Sequence, residues 1–387
     1  GLLDDVDQYT IPMKGRMMHD VDGQQVFQPY GKDASEVIWS THRARLNLGM
    51  LEAADRRTRV TLYFDHVIQE VDWDARTLLC VNPDGETHEH GFEVLIAADG
   101  AGSAIRQAME RVTDLGVSEE LLDHGYKELN IPPDEQGRFQ LDPHALHIWP
   151  RGGFMLIALP NADRSFTLTL FLPNEGKPSF SRLGEWPAQQ AFMQAHFPDA
   201  VPLIAELEQE FSDNPVGLLG TIRCRKWHLD GRAVLLGDAA HAIVPFHGQG
   251  MNAAFEDCTA LMDCLDKEDR DWSELFADFQ AMRRDNANAI ADMALENYLI
   301  MRDAVRDPGF LLRKALEHEL ERRHPNRFVA RYSLVMFHRV PYAECYRRGE
   351  IQERILAQLL EGCETLNDVD FDRACQLIEQ QLEPLEE

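Results

Sequence analysis

In AVLLGDAAHAIVPFHGQGMNAAFED, positions 233 to 257, an acid stands at the end of an apolar run, and a proline and two bare glycines follow it. Asp238 could accept hydrogen bonds from sugar or ribityl hydroxyls at a strand tip, where α/β proteins gather ligand contacts. Pro245 fixes the chain direction. Gly248, Gln249 and Gly250 then lead into a predicted helix over 250–265, so that backbone N–H groups near Met251 and Asn252 can approach a planar or anionic group. A helix origin carries about half a positive charge, which would stabilise a ring that turns negative on reduction. A second stretch, DGAGSAIR, follows the run VLIAA and offers Asp99 at a strand end and Arg106 one helical turn on. That pair suits a dinucleotide pyrophosphate, and equally an ordinary strand-to-helix turn.

The elements that must position these residues are legible in outline. EVIWS (36–40) alternates like a strand, and 43–54 carries leucines at helical spacing. Runs at 58–64, 66–73 and 77–82 predict a meander leading to a buried strand at 94–100. A separate antiparallel sheet is expected from HALHIWP, FMLIALP and SFTLTLFLP (144–150, 154–160 and 165–173). Beyond Gly250 the pattern is helical, over 250–265, 273–305, 309–322 and 342–361. In the helix near 285–305, Asp292, Glu296 and Asp303 fall on one face, with Ile290, Asn297, Met301 and Ala304 on the other.

The whole chain sets limits on function. Its 387 residues are 44% hydrophobic, enough for more than one lobe, and its net charge of −28 disfavours nucleic acid or an anionic membrane as a partner. Seven scattered cysteines match neither a zinc site nor a disulfide framework and fit a reducing cytoplasm. No Ser-His-Asp or metal-spaced cluster emerges, and His241 and His247 read as loop histidines.

With DGAGSAIR and GDAAHAIVPFHGQGMN in this order, the chain resembles the FAD-dependent aromatic hydroxylases of the p-hydroxybenzoate hydroxylase type. IPMKGRMMHD, QPYGKD, HGYKELNIPP, LHIWPR, FMLIALPN, ENYLIMR and FHRVPY narrow the resemblance to the kynurenine 3-monooxygenase family over nearly the whole chain. The resemblance implies hydroxylation of L-kynurenine to 3-hydroxykynurenine with FAD, NADPH and dioxygen, through a flavin hydroperoxide. Carried over by position, Arg43, Ile68, Ala104, Asp238, Met251 and Asn252 match flavin contacts. Arg16, Tyr30, Asn297 and Tyr342 match residues that hold the amino-acid end of kynurenine, and Leu146, Ile157, Phe171 and Phe246 match the walls around its ring. Chemically, one planar guanidinium with two hydroxyls and an amide makes a sound clamp for a zwitterion. His247, beside the flavin loop, is a candidate for proton handling.

The expected architecture is an α/β, doubly wound FAD-binding domain with an antiparallel-sheet substrate domain and C-terminal helices. Its segments are an FAD-binding remnant at 1–106 with a substrate-contacting stretch at 11–33, a β-sheet substrate domain at 107–228, a return to the FAD domain with a long helix at 229–305, and a helical region at 306–387. Family members open with a strand, a Gly-x-Gly-x-x-Gly turn and a helix that hold the FAD diphosphate. GLLDDVDQYTIPM aligns after that unit, so the chain is expected to be N-terminally truncated, to lack the first βαβ unit, to bind FAD poorly by itself and to expose a sheet edge. The polar, acidic end resembles the bacterial type rather than the membrane-anchored eukaryotic one, and a homodimer is among the compatible assemblies. Two alternatives stay open: a flavin hydroxylase of another aromatic acid, and a non-catalytic small-molecule binder without FAD.

Overall fold

The computed structural model describes residues 7–32, 35–266, 271–301 and 308–385. Asp303 and Ala304 of the predicted helix faces, and the first residues of GLLDDVDQYTIPM, lie outside them.

The strands run β1 (Thr10–Met13), β2 (Gly15–His19), β3 (Gln25–Pro29), β4 (Ile38–Thr41), β5 (Val67–Asp72), β6 (Thr77–Val81), β7 (Thr87–Gly91) and β8 (Leu95–Ala97). They continue with β9 (Ser118–Ile131), β10 (Ala145–Pro150), β11 (Met155–Pro160), β12 (Phe166–Pro173), β13 (Gly217–Arg223), β14 (His228–Leu229) and β15 (Ala233–Leu235). Of the helices, α1 (Arg43–Asp55) and α2 (Ala104–Glu110) lie between β4 and β9, and α3 (Trp186–His196) and α4 (Leu207–Asp213) cover the large sheet. Then come α5 (Asp238–His241), α6 (Gly250–Leu265), α7 (Trp272–Leu299), α8 (Pro308–Arg323), α9 (Arg331–Phe337), α10 (Tyr342–Leu360) and α11 (Phe371–Gln381).

The largest sheet has seven strands in the order β13-β9-β12-β11-β10-β2-β3. It is antiparallel except where β2 runs parallel to β10, with Arg16 opposite Leu146. Residues 15–29 therefore extend the sheet formed mainly by residues 118–223. Period-two alternation sorts its side chains between two cores. Leu156, Ala158, Leu168, Leu170 and Trp149 turn toward α3 and α4. Met18, Leu146, Ile148, Met155, Ile157 and Phe171 turn the other way, toward Phe246 and Tyr298. Phe246 comes from the loop before α6 and Tyr298 from α7.

The second sheet, β14-β15-β8, is short. β15 is wholly buried, as its apolar run requires. β8 is not the buried strand expected at 94–100: it spans three residues at the sheet edge, and Ile96 is 48% exposed. Residues 58–64 also depart from expectation. They form no strand, because the meander pairs only β5, β6 and β7 and leaves Tyr63 and Phe64 at the surface. The C-terminal helices bury their own core around Leu316, Leu320, Phe328, Ile355 and Leu356. Among the described residues, no helix is long and apolar enough to cross a membrane.

Candidate functional site

The loop from β15 to α6 is the centre around which the expected residues gather. Gly237 holds φ +54, where a Cβ would sit 2.9 Å from that of Ala254, so the sharp exit from β15 depends on glycine. Asp238 follows as the first residue of α5 and is exposed. Burial of its surroundings pushes its carboxyl pKa up, against the pull of His241 and Arg43. Gly248 ends the next turn in the left-handed region at φ +70. Gln249 starts α6 without a side-chain cap, so the first N–H groups of that helix are left as open donors. Met251 and Asn252 lie exposed beside them. An uncapped helix origin, a left-handed glycine and an exposed strand-tip acid fit the polar edge of a flavin.

A buried ionic group holds this loop in shape. The Asp257 carboxylate, wholly buried, accepts from Gly237 N at 3.0 Å, from His241 Nε2 at 2.6 Å and from Arg283 Nε at 2.7 Å. Arg283 also pairs with Glu256 and donates to Ala253 O. Burial opposes ionisation of Asp257, but the bonds from His241 and Arg283 win and hold its pKa below the usual range. His241 thus has a structural partner, and among the described residues no group of His, Cys, Asp and Glu could hold a metal ion.

DGAGSAIR reaches the same loop by another route. Both oxygens of Asp99 serve their own turn, accepting from Ser103 Oγ at 2.6 Å and Ile105 N at 3.1 Å. Ala104 opens α2 behind them. Arg106 does not point outward as a pyrophosphate contact would. It is 2% exposed, and its guanidinium donates to Ala101 O and Ala239 O, tying the two sequence motifs together. Ile68 packs against the same core as Ile105.

Two of the residues expected at the amino-acid end, Arg16 and Tyr30, form a cage with Tyr332 and His247 next to this loop. The Arg16 guanidinium lies 5.4 Å from the Tyr30 ring and 5.0 Å from that of Tyr332. Tyr332 stacks on Tyr30 at 6.1 Å and on His247 at 5.4 Å. Arg16 Nε, Tyr30 Oη and His247 Nδ1 are buried without a hydrogen-bond partner. Burial, and then Tyr332, push the Tyr30 pKa up and keep its hydroxyl protonated. Burial lowers His247 to about 4, helped by the charges of Arg16 and Arg331. Asn297 donates from Nδ2 to Phe246 O at 2.6 Å, so its amide is bonded to backbone on one side. Phe246 meets Phe171 at 4.9 Å, and Leu146 and Ile157 complete the apolar floor.

Tyr342 is placed elsewhere. It is buried in the packing of α6, α7, α9 and α10, and its hydroxyl donates to Gln249 Oε1 at 2.9 Å, an oxygen that also accepts from Asn252. The position against Arg16 belongs to Tyr332, which the sequence analysis did not single out. RYSLVMFHRVPY offers two tyrosines, and only the break between α9 and α10 decides which one faces the cage.

Residues 41–294 match the family model of an FAD binding domain. The chain is 50% identical over its full length to a kynurenine 3-monooxygenase of Xanthomonas axonopodis pv. citri (strain 306), covering 85% of that protein. It is 50% identical over 97% of its length to one of Xanthomonas oryzae pv. oryzae (strain PXO99A), covering 83%. Among solved structures, a tetrameric 2-methyl-3-hydroxypyridine-5-carboxylic acid oxygenase aligns with 80% of this chain and 79% of its own, at TM-score 0.62 and 19% identity. Klebsiella pneumoniae HpxO, complexed with FAD and uric acid, aligns with 95% of this chain and 84% of its own, at TM-score 0.56 and 19% identity. At those identities the structural likeness speaks for the fold: an FAD-binding α/β lobe, a sheet lobe beside it and helices at the C-terminal end. With half of its residues shared along the full chain, the protein belongs to the kynurenine 3-monooxygenase family of flavin-dependent aromatic monooxygenases.

Proposed function

We propose that the protein hydroxylates L-kynurenine to 3-hydroxykynurenine, with FAD as cofactor and NADPH and dioxygen as co-substrates. The observation that carries this reading is the half-buried side chain of Arg16, with its Nε buried and unpartnered, set between two tyrosines above an apolar floor. A buried cation without a counter-charge is costly unless a ligand supplies the anion. The carboxylate of an amino acid does so, with Tyr30 donating a further hydrogen bond. Because Asn297 spends its Nδ2 on Phe246 O, its Oδ1 faces the work of accepting from the substrate ammonium. The aromatic ring then lies among Leu146, Ile157, Phe171 and Phe246, which exclude water.

Bound FAD would supply the redox chemistry, passing two electrons from NADPH to dioxygen so that one oxygen atom enters the ring and the other leaves as water. The residues proposed to hold it are Arg43, Ile68, Ala104 and Asp238, with Asp99 through its backbone, and Pro245, Gly248, Gln249, Gly250, Met251 and Asn252 around the open end of α6. His247 is held neutral at pH 7 by burial, which leaves Nδ1 available to take or pass a proton beside the cage.

The test is NADPH oxidation by the FAD-loaded protein with kynurenine and with hydroxybenzoates, followed by product mass. Kynurenine should stimulate oxidation and yield a product heavier by one oxygen atom. Stimulation by a hydroxybenzoate alone would favour a hydroxylase of another aromatic acid. Uptake of kynurenine with no oxidation would favour a non-catalytic binder.

A further inference from the structure

Helix α9 carries Tyr332 into the cage, yet little in its own sequence holds its first turn. It has seven residues, too few to be stable alone, and Ala330 provides no side-chain cap. Its first residue, Arg331, is basic, the wrong sign for the positive end of a helix. Leu334 and Val335 anchor the following turn in the buried cluster with Ile290 and Met293 of α7, and Val329, just before the helix, is buried there too with its O accepting from Gln352 Nε2 at 2.7 Å; the end bearing Tyr332 has one further fixing point, toward α7.

That point is a three-part contact across α7, α9 and α10. Arg331 Nη2 pairs with Glu296 Oε2 at 2.6 Å. The guanidinium lies 5.9 Å from the Tyr346 ring, and Tyr346 Oη donates to Glu296 Oε1 at 3.4 Å. Gly349 makes room for the arginine stem, since a Cβ there would overlap Arg331 Cδ. Glu296 immediately precedes Asn297, as Arg331 precedes Tyr332. The ion pair thus ties the turn that bears Tyr332 to the turn that bears Asn297, across two helices.

We propose that Arg331, held by Glu296, Tyr346 and Gly349, is a positioning residue that fixes Tyr332 and Asn297 relative to Arg16 and so sets the affinity for the substrate's amino-acid end. The inference rests on the kynurenine reading given above. The pair is partly exposed, at 21% for Arg331 and 40% for Glu296, so its loss should cost little global stability. Its effect is expected in binding.

The experiment titrates L-kynurenine into FAD-loaded protein by calorimetry, for wild type, Arg331→Met, Glu296→Gln, Tyr332→Ala and the double variant Arg331→Met/Tyr332→Ala. Arg331→Met should raise Kd about tenfold and Glu296→Gln about threefold, with Tm within a few degrees of wild type. If Arg331 acts through Tyr332 and Asn297, adding Arg331→Met to Tyr332→Ala should change Kd by clearly less than Arg331→Met changes it in the wild type, with only the Asn297 share remaining. Gly349→Ala, which leaves every charge in place and displaces only the arginine stem, should weaken binding in the same direction. Losses that add in full in the double variant, or unchanged Kd in both Arg331→Met and Gly349→Ala, would overturn the inference while leaving the kynurenine reading intact. A wild-type protein that takes up no kynurenine would overturn both.

Discussion

The loop from Gly237 to Asn252 and the cage around Arg16 are neighbours, and the chain treats their buried polar atoms in opposite ways. At the loop, Asp257 is wholly buried and its oxygens are engaged by a backbone N–H, a histidine and an arginine. In the cage, Arg16 Nε, Tyr30 Oη and His247 Nδ1 are buried without a well-formed hydrogen bond. An unmet buried polar group costs about 1 to 3 kcal/mol, so three in one place are a deliberate weakness. The loop spends its charges on shape, and what it offers a cofactor is exposed backbone. The cage spends its shape on keeping charges unspent.

Removing a charge should therefore have opposite consequences in the two regions. Asp257→Ala strips the partner from Arg283 and His241 and frees the Gly237 turn, and should cost about 3 to 5 kcal/mol of stability by denaturant unfolding. FAD retention should fall with it, since the open end of α6 follows directly from that turn. A loss below about 1 kcal/mol would mean that the loop is held by its packing and that the contrast is only apparent. Arg16→Met should do the reverse. Kynurenine affinity should drop by about 2 to 3 kcal/mol, whereas the unfolding free energy should stay level or rise as an incompletely partnered buried charge is removed. A stability loss comparable to that of Asp257→Ala would show that Arg16 has a structural job as well.

The same contrast explains what could be read from the sequence. The strand-tip acid, the side-chain-free Gly248 and the bare start of α6 are local features, written by Gly, Pro and an apolar run within one stretch, and they were legible. The strands under the apolar floor were legible too, as apolar runs bounded by Gly, Asn and Pro, but which of their residues form the floor came only from the family resemblance. Long-range pairing was not. His241 looked like a loop histidine because its partners, Asp257 and Arg283, lie on α6 and α7. Arg106 looked like an anion contact until Ala239 O, far along the chain, turned out to accept from it. β9 escaped notice because its first residues, SEELLD, are charged and mostly exposed, and only its second half alternates. Tyr332 against Tyr342 could be decided only by where one helix stops and the next begins.

The smallest expected effect concerns protons. His247 has a folded pKa of about 4 against an ordinary value of 6.5, because burial disfavours its charged form and Arg16 and Arg331 add to that. The unfolded chain thus binds the proton first, so stability is undiminished above pH 6.5, falls as the pH drops from 6.5 toward 4, and levels off below 4 as far as this group is concerned. His19, behind the same sheet and also lowered to about 4 by burial, contributes in the same window despite its bond to Asp199. His247→Gln should remove its share of the acid slope, and His19→Gln the other, while both leave stability near pH 8 within about 1 kcal/mol. Denaturant midpoints measured from pH 8 to pH 4 give the check. If kynurenine accepts a hydrogen bond from His247 when the imidazole is protonated, the wild-type slope should flatten with saturating ligand and the His247→Gln slope should not. That separates a histidine waiting for a ligand from one that is merely buried.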